Sequence, residues 1–197
     1  SAQSAAESWE KANGIPKEIL KSFDQHECFK DSEMLLAIPE FKVPLPGGNA
    51  PSQNDLLVVT TNEIGLTLIT VESKVKEDFD KTIEEWRKDC SNGKIERLDI
   101  LLKTINYPDV NIDNLRYQLF HRLASSIIMA EKFHAKNAMM IVQSFEENDA
   151  LNHFEDYKNF ISSYKVVPEK EKIQQLNLDG KINGIDVYSL WVSSKMI

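Results

Sequence analysis

Three residues in the stretch DLLVVTTNEIGLTLITVESK (55–74) have the types and spacing for phosphoryl chemistry. Asp55 starts one apolar run, and Glu72 and Lys74 end the next. Both runs are rich in Val, Ile, Leu and Thr and read as strands, with NEIG (62–65) as a four-residue hairpin loop. If Thr61 faces Leu66, Asp55 stands opposite Glu72, and Cβ atoms of such neighbours are about 4.5–5.5 Å apart. Two carboxylates at that distance repel unless a cation lies between them. Lys74, two residues beyond Glu72, projects from the same face. A register slip of one residue would put the acids on opposite faces. Two carboxylates with a carbonyl or water suit a hard cation such as Mg²⁺, or Mn²⁺ in its place. The cation would bind a phosphate oxygen and lower the pKa of an attacking water. The lysine would orient that water or offset the developing charge. Against this stands a plain alternative: acids and lysines at strand ends often do no more than meet solvent.

A second group lies on the longest helical pattern, residues 113–133. Gln118, His121, Arg122 and Ser125 fall within about 100° of arc, opposite an apolar stripe of Leu115, Leu119, Phe120, Leu123, Ile127 and Ala130 or Phe133. Two readings stay open. The face is either a polar lining, with Gln118 beside the chemistry and His121 and Arg122 contacting substrate, or a solvated surface. Arg116, nearer the apolar side, is a candidate buried ion-pair partner. His26, His134 and His153 are scattered and read as surface or helix-packing residues.

The elements that must position these residues follow from periodicity. Residues 7–30 read as two helical pieces, the second with Pro16 in its first turn. A short helix is expected from Asp31 or Ser32 through Met34, Leu35 and Leu36, ended by Pro39. Residues 41–54 read as a short edge strand and a Pro/Gly loop. After the hairpin, helices are expected over 76–90 and 93–105. The helix 113–133 follows, then a strand at 137–145, a helix at 149–164 capped by Asn148 or Asp149, and a final strand at 185–194. This order describes an α/β domain with helices on a mixed sheet. The 197 residues fit one domain, large enough to bury its own core.

Composition narrows the function classes. Hydrophobic residues make up 42% and charged residues 27%, the balance of an ordinary globular protein. The net charge of −8 argues against a non-specific nucleic-acid coat, which needs a basic face. No apolar run approaches the ~18 residues of a membrane span, and the first residues lack the pattern of a signal peptide. Two cysteines, Cys28 and Cys90, match no zinc spacing and favour a reducing, cytoplasmic setting. The glycine loop PGGNAPS (46–52) lacks the Lys and following helix of a P-loop, and no G-x-S-x-G elbow is present.

Asn54-Asp55, followed after sixteen residues by Glu72-Ser73-Lys74 at the end of an apolar strand, resembles the PD-(D/E)xK nuclease motif. The element order resembles the restriction-endonuclease-like core: helix, three-strand meander, helix, strand. The likeness covers roughly residues 30–165 and extends, through residues 116–145, to an uncharacterised bacterial family with that core. The resemblance implies a nuclease-like core at 31–165 with a helical insertion at 76–105, an N-terminal helical extension at 1–30 and a C-terminal extension at 166–197. It implies Asp55 and Glu72 as metal ligands, Lys74 as the catalytic lysine, and the Ser73 carbonyl as a further ligand. It also implies an added acid on the first helix, for which Glu33 is the best-placed match. Asn54 stands where the motif name has proline.

These readings predict a metal-dependent nuclease acting on DNA or RNA, with a basic groove completed by a partner or a homodimer. The alternatives are a non-catalytic binding module on the same core and a small-molecule phosphoryl hydrolase with a compact pocket.

Overall fold

A computed structural model describes residues 1–88, 91–146, 152–177 and 179–196. Two helices, α1 (Ala2–Ala12) and α2 (Lys17–Asp24), lead into a meander of β1 (Glu33–Val43), β2 (Ser52–Asn62) and β3 (Gly65–Lys74). Three helices follow, α3 (Ile83–Arg87), α4 (Asn92–Thr104) and α5 (Tyr117–Lys132), then β4 (Asn137–Ser144), α6 (His153–Ser162), the two-residue β5 (Gln174–Gln175) and β6 (Asp186–Ser193). The six strands form one mixed sheet in the order β1-β2-β3-β4-β6-β5. β1, β2 and β3 pair antiparallel, β3–β4 and β4–β6 parallel, and β5–β6 antiparallel.

Helices cover both faces of this sheet. On one, Trp9, Ile19 and Phe23 of α1 and α2 pack on Leu56, Val58, Ile69, Val71, Met139 and Ile141. On the other, Leu119, Phe120, Leu123 and Ile127 of α5 pack on Leu57, Val59, Leu68, Met140 and Val142. β4 is buried along its whole length, and its apolar run Ala138–Val142 is that of a strand between two layers. The stripe of α5 ends on Ala130, fully buried, while Phe133 is 41% exposed.

The hairpin has the expected register: Thr61 pairs with Leu66, and the ladder runs on to Leu56↔Val71. Elsewhere the structure corrects the sequence. The helix expected at 31–38 is absent; Met34, Leu35 and Leu36 belong to the edge strand β1, with a bulge between Met34 and Leu36. Leu, Met and Ala favour helix in isolation, but pairing along β2 overrides that weak preference. Pro39 sits within β1 opposite Leu56, a place an edge strand allows because it needs no outward donor. The helix expected at 76–90 shrinks to α3, which begins at a capping box of Thr82 and Glu85. Residues 113–116 are not helical; Arg116 instead bridges to Thr82. α6 is capped at Asn152, while Asn148, Asp149 and Cys90 lie outside the described residues.

Candidate functional site at the end of β3

β3 carries an alternation that its interior does not explain. Thr70, Glu72 and Lys74 are all buried, and Lys74 is only 2% exposed. A buried ion needs partners, because desolvation otherwise outweighs what packing returns. Here they are supplied. Lys74 Nζ lies 2.9 Å from Glu72 Oε1 and donates to Gln118 Oε1 at 2.9 Å and to the Asp78 carbonyl at 3.4 Å. Its ammonium also stands 4.5 Å from the centre of the Phe79 ring. Gln118 Nε2 donates to Glu72 Oε1 at 2.7 Å. Lysine only donates and carboxylate only accepts, so this amide has one workable orientation, bridging the pair.

The second oxygen of Glu72 is taken by Arg122, whose Nε donates to Oε2. Arg122 Nη1 donates to Ser52 Oγ at 2.9 Å. Thr70 Oγ1 donates to the Arg122 carbonyl at 3.0 Å, tying α5 to β3 at this level. The helix face of Gln118, His121, Arg122 and Ser125 is therefore not a solvated surface. Arg122 and Ser125 are buried, and the face is turned onto the polar end of the sheet. Periodicity placed these four side chains together but could not say what they face.

Asp55 enters from the neighbouring strand. β1–β2 pairing runs through Pro39↔Leu56 and resumes at Phe41↔Asn54, with Glu40 between them at φ 50. Beyond Leu56↔Val71 the Asp55 side chain replaces the β2 backbone: its Oδ2 accepts from Ser73 N at 2.8 Å and Ser73 Oγ at 2.6 Å. Strand amides and carbonyls of one residue face the same neighbour. The Ser73 carbonyl is thus turned to the Asp55 edge. Burial first, and then the charge of Glu72, raise the Asp55 carboxyl above its ordinary value, against the hydrogen bonds from Ser73 and the charge of Arg122. The charge of Glu72 thus reaches the Asp55 carboxyl, although the ladder stops one pair short of Asp55 opposite Glu72.

His121 completes the cluster. Its Nδ1 lies 2.8 Å from Ser52 Oγ, which already accepts from Arg122. The hydroxyl proton then points to Nδ1, leaving the imidazole proton on Nε2. Burial, with Arg122, Arg97 and Lys74 nearby, holds His121 well below its ordinary pKa, so it is neutral at pH 7.

One expectation for this site changes. Lys74 meets the Glu72 carboxylate, as a shared face requires. Glu33 is not on a helix and not at the site: it pairs with Thr61, six residues along β2 from Asp55, or about 20 Å at strand rise. The sequence reading did not single out Ser52, which links Arg122 to His121; a serine at the first position of a strand, next to a Pro/Gly loop, carries no signal of its own. His153 is wholly buried against Phe79, at ion-pair reach of Glu146 and 3.4 Å from Asp78, so it packs rather than sits at the surface. Arg116 makes an ion pair, 2.9 Å from Asp156, but at a half-buried rather than a buried position.

The donor set bears on a metal ion. A carboxylate offers about four lone-pair positions, and Glu72 has contacts from Lys74, Gln118 and Arg122 on three. Asp55 Oδ2 serves Ser73, while Oδ1 makes none of the hydrogen bonds found among the described residues. One Glu72 position, Asp55 Oδ1 and the Ser73 carbonyl are all-oxygen donors, a fit to Mg²⁺ or Mn²⁺ with water completing the shell. Among the described residues no three His, Cys, Asp or Glu side chains gather as a metal group.

No curated protein and no solved structure matches the chain. A family model, by contrast, matches residues 1–196, essentially the whole fold described above, and the chain belongs to the family described as Domain of unknown function (DUF6946).

Proposed function

We propose that this protein is a metal-dependent hydrolase of phosphodiester bonds in DNA or RNA, built on a restriction-endonuclease-like core. One observation carries the reading: Glu72, Lys74 and Gln118 meet within 3 Å contacts at the end of β3, with Asp55 held beside them on Ser73. The order of elements supports it, since an antiparallel meander, a long helix and a parallel strand follow one another as the PD-(D/E)xK resemblance implies.

Asp55, Glu72 and the Ser73 carbonyl would hold Mg²⁺ or Mn²⁺. Bound there, the ion would supply Lewis-acid activation of the phosphate and of a water. Lys74, whose ammonium reaches Glu72, Gln118 and the Asp78 carbonyl, would exchange the last and longest of these contacts to orient the attacking water or offset the charge gained in the transition state. Gln118 fixes the lysine, and Arg122 fixes the rotamer of Glu72. His121, neutral and next to Arg122, is placed to contact the substrate. A net charge of −8 leaves a long polyanion to be held by few local cations, or by a second copy of the chain. No helix among the described residues is long and apolar enough to cross a membrane, and we place the activity in the cytoplasm.

A second reading rests on a specific observation. Glu72 is neutralised by two cations in a buried, mutually satisfied cluster, as a purely structural network would also be. On that reading the chain is a nuclease-like binding module. The two separate in one assay. Purified protein is incubated with single- and double-stranded DNA and RNA and a chromogenic phosphodiester, in EDTA, Mg²⁺ and Mn²⁺. Metal-dependent cleavage is expected; no cleavage of any of them leaves the binding-module reading standing.

A further inference from the structure

We propose that the cavity between the 44–51 loop and the start of α4 is an anion pocket that binds a phosphate group through Arg97, Lys94 and His121. The identity of the anion rests on the phosphodiester reading above; the pocket itself does not.

The cavity measures about 460 Å³ and is lined in part by Gly47, Gly48, Trp86, Lys94, Arg97 and His121. Arg97 is its most informative member. Its Nε and Nη2 are buried and make none of the hydrogen bonds found among the described residues, while the guanidinium also lies at hydrogen-bond reach of Tyr117. Buried polar groups are nearly always paired, so an orphaned guanidinium edge asks for an acceptor. Planar, two-donor edges of this kind match phosphate oxygens. The loop is shaped to lie on this arginine. Gly47 has φ 77, and a Cβ there would stand 2.7 Å from Arg97 Cα; at Gly48 a Cβ would stand 2.6 Å from Nη2. PGGNAPS is thus not a P-loop, yet its glycines serve a close approach.

Three further observations point the same way. The first turn of α4 faces the cavity through Ser91, Gly93 and Lys94, its N-cap Ser91 makes no side-chain cap bond, and no acid lies in that turn. A 13-residue helix presents free N–H groups and positive potential there. His121, with Nδ1 occupied by Ser52, has its Nε2–H left to donate. And in a chain of net charge −8, no lining residue among the described ones is acidic. Trp86 forms a wall, stacked on Tyr117 at 4.3 Å, with Lys94 Nζ 5.2 Å from its ring centre.

The volume suits a nucleotide-sized group rather than a duplex. Two sources share that chemistry: a free nucleotide or sugar phosphate, and the terminal phosphate of a single strand. His121 adjoins Arg122, and Arg122 holds Glu72, so the pocket is linked to the Glu72–Lys74 centre through two side-chain contacts.

Calorimetric titration of the full chain in EDTA and low salt tests this, with inorganic phosphate, a 5′-mononucleotide, and oligonucleotides bearing a 5′-phosphate or a 5′-hydroxyl. Arg97→Met keeps the stem and removes the donors; Lys94→Ala, at a half-buried position, guards against a folding defect in the first. Phosphate and nucleotide should bind wild type, and each variant should weaken binding, by about tenfold or more for Arg97→Met. Preference for the 5′-phosphorylated strand identifies a strand end; binding of the nucleotide without the strand identifies a small molecule. Both support the pocket. No binding by wild type at millimolar ligand, or equal binding by Lys94→Ala and a folded Arg97→Met, overturns it. Because metal is absent, binding without any later cleavage would retain the pocket and reject the hydrolase. Cleavage with no phosphate binding would do the reverse.

Discussion

Glu72 and Lys74, two residues apart on β3, meet at 2.9 Å with side chains 3% and 2% exposed. Arg122 takes the other carboxylate oxygen. One acid thus serves two buried cations, so removing it leaves both unpaired, whereas removing the lysine leaves Arg122 satisfied. Glu72→Gln should cost about 3–5 kcal/mol, the usual range for breaking a buried pair, and Lys74→Met should cost less. Urea unfolding midpoints check the order; a Lys74→Met variant less stable than Glu72→Gln contradicts it.

Gln118 looks replaceable from its position on a polar helix face. Its amide, however, accepts from Lys74 and donates to Glu72. Gln118→Ala should therefore cost about 1–3 kcal/mol, the penalty of stranding a buried polar group. Denaturation at neutral pH reads this directly, and a midpoint equal to wild type counts against the bridge.

The apolar side of the same helix is a separate matter. Leu119 and Leu123 are fully buried on the sheet, and alanine at either should cost about 2–5 kcal/mol through the cavity left behind. Thermal or urea unfolding of each variant tests it, with wild-type behaviour as the contradicting result.

His121 makes stability depend on pH in a defined direction. Burial, with Arg122, Arg97 and Lys74, depresses its folded pKa well below the usual value. Between the folded value and about 6.5 the unfolded chain binds the extra proton, so stability is full above about pH 6.5 and falls as pH drops. His26, also depressed by burial, adds the same sign. His121→Gln should lose most of this slope and keep the share of His26. Unfolding free energies at pH 7.5 and 5.5 measure it, and an unchanged slope in the variant refutes the assignment.

Much of the site was legible in the chain because it is local. NEIG and the Val/Ile/Thr runs specify the hairpin, and the hairpin brings Asp55 near Glu72. Period two then puts Lys74 beside Glu72, and period 3.6 gathers Gln118, His121 and Arg122. What periodicity cannot supply is the environment of a face. Arg122 reads equally well as solvated until α5 is docked on Thr70. Met34-Leu35-Leu36 misleads because helix propensity is weak beside the pairing of β1 with β2. Arg97 and Gly47–Gly48 carry no mutual signal, being some fifty residues apart and joined only by packing.

The proposed hydrolase requires that Asp55, Glu72 and Lys74 form a working metal-dependent centre. The most direct test is cleavage of single-stranded and duplex DNA and RNA by wild type, Asp55→Asn and Lys74→Ala, with Mn²⁺ binding measured on the same preparations. Wild type is expected to cleave in Mg²⁺ or Mn²⁺ and not in EDTA. Lys74→Ala should bind Mn²⁺ but lose roughly 10²–10³ or more in rate, and Asp55→Asn should lose both binding and cleavage. Wild type that cleaves nothing, or Lys74→Ala that cleaves as well as wild type, would contradict it.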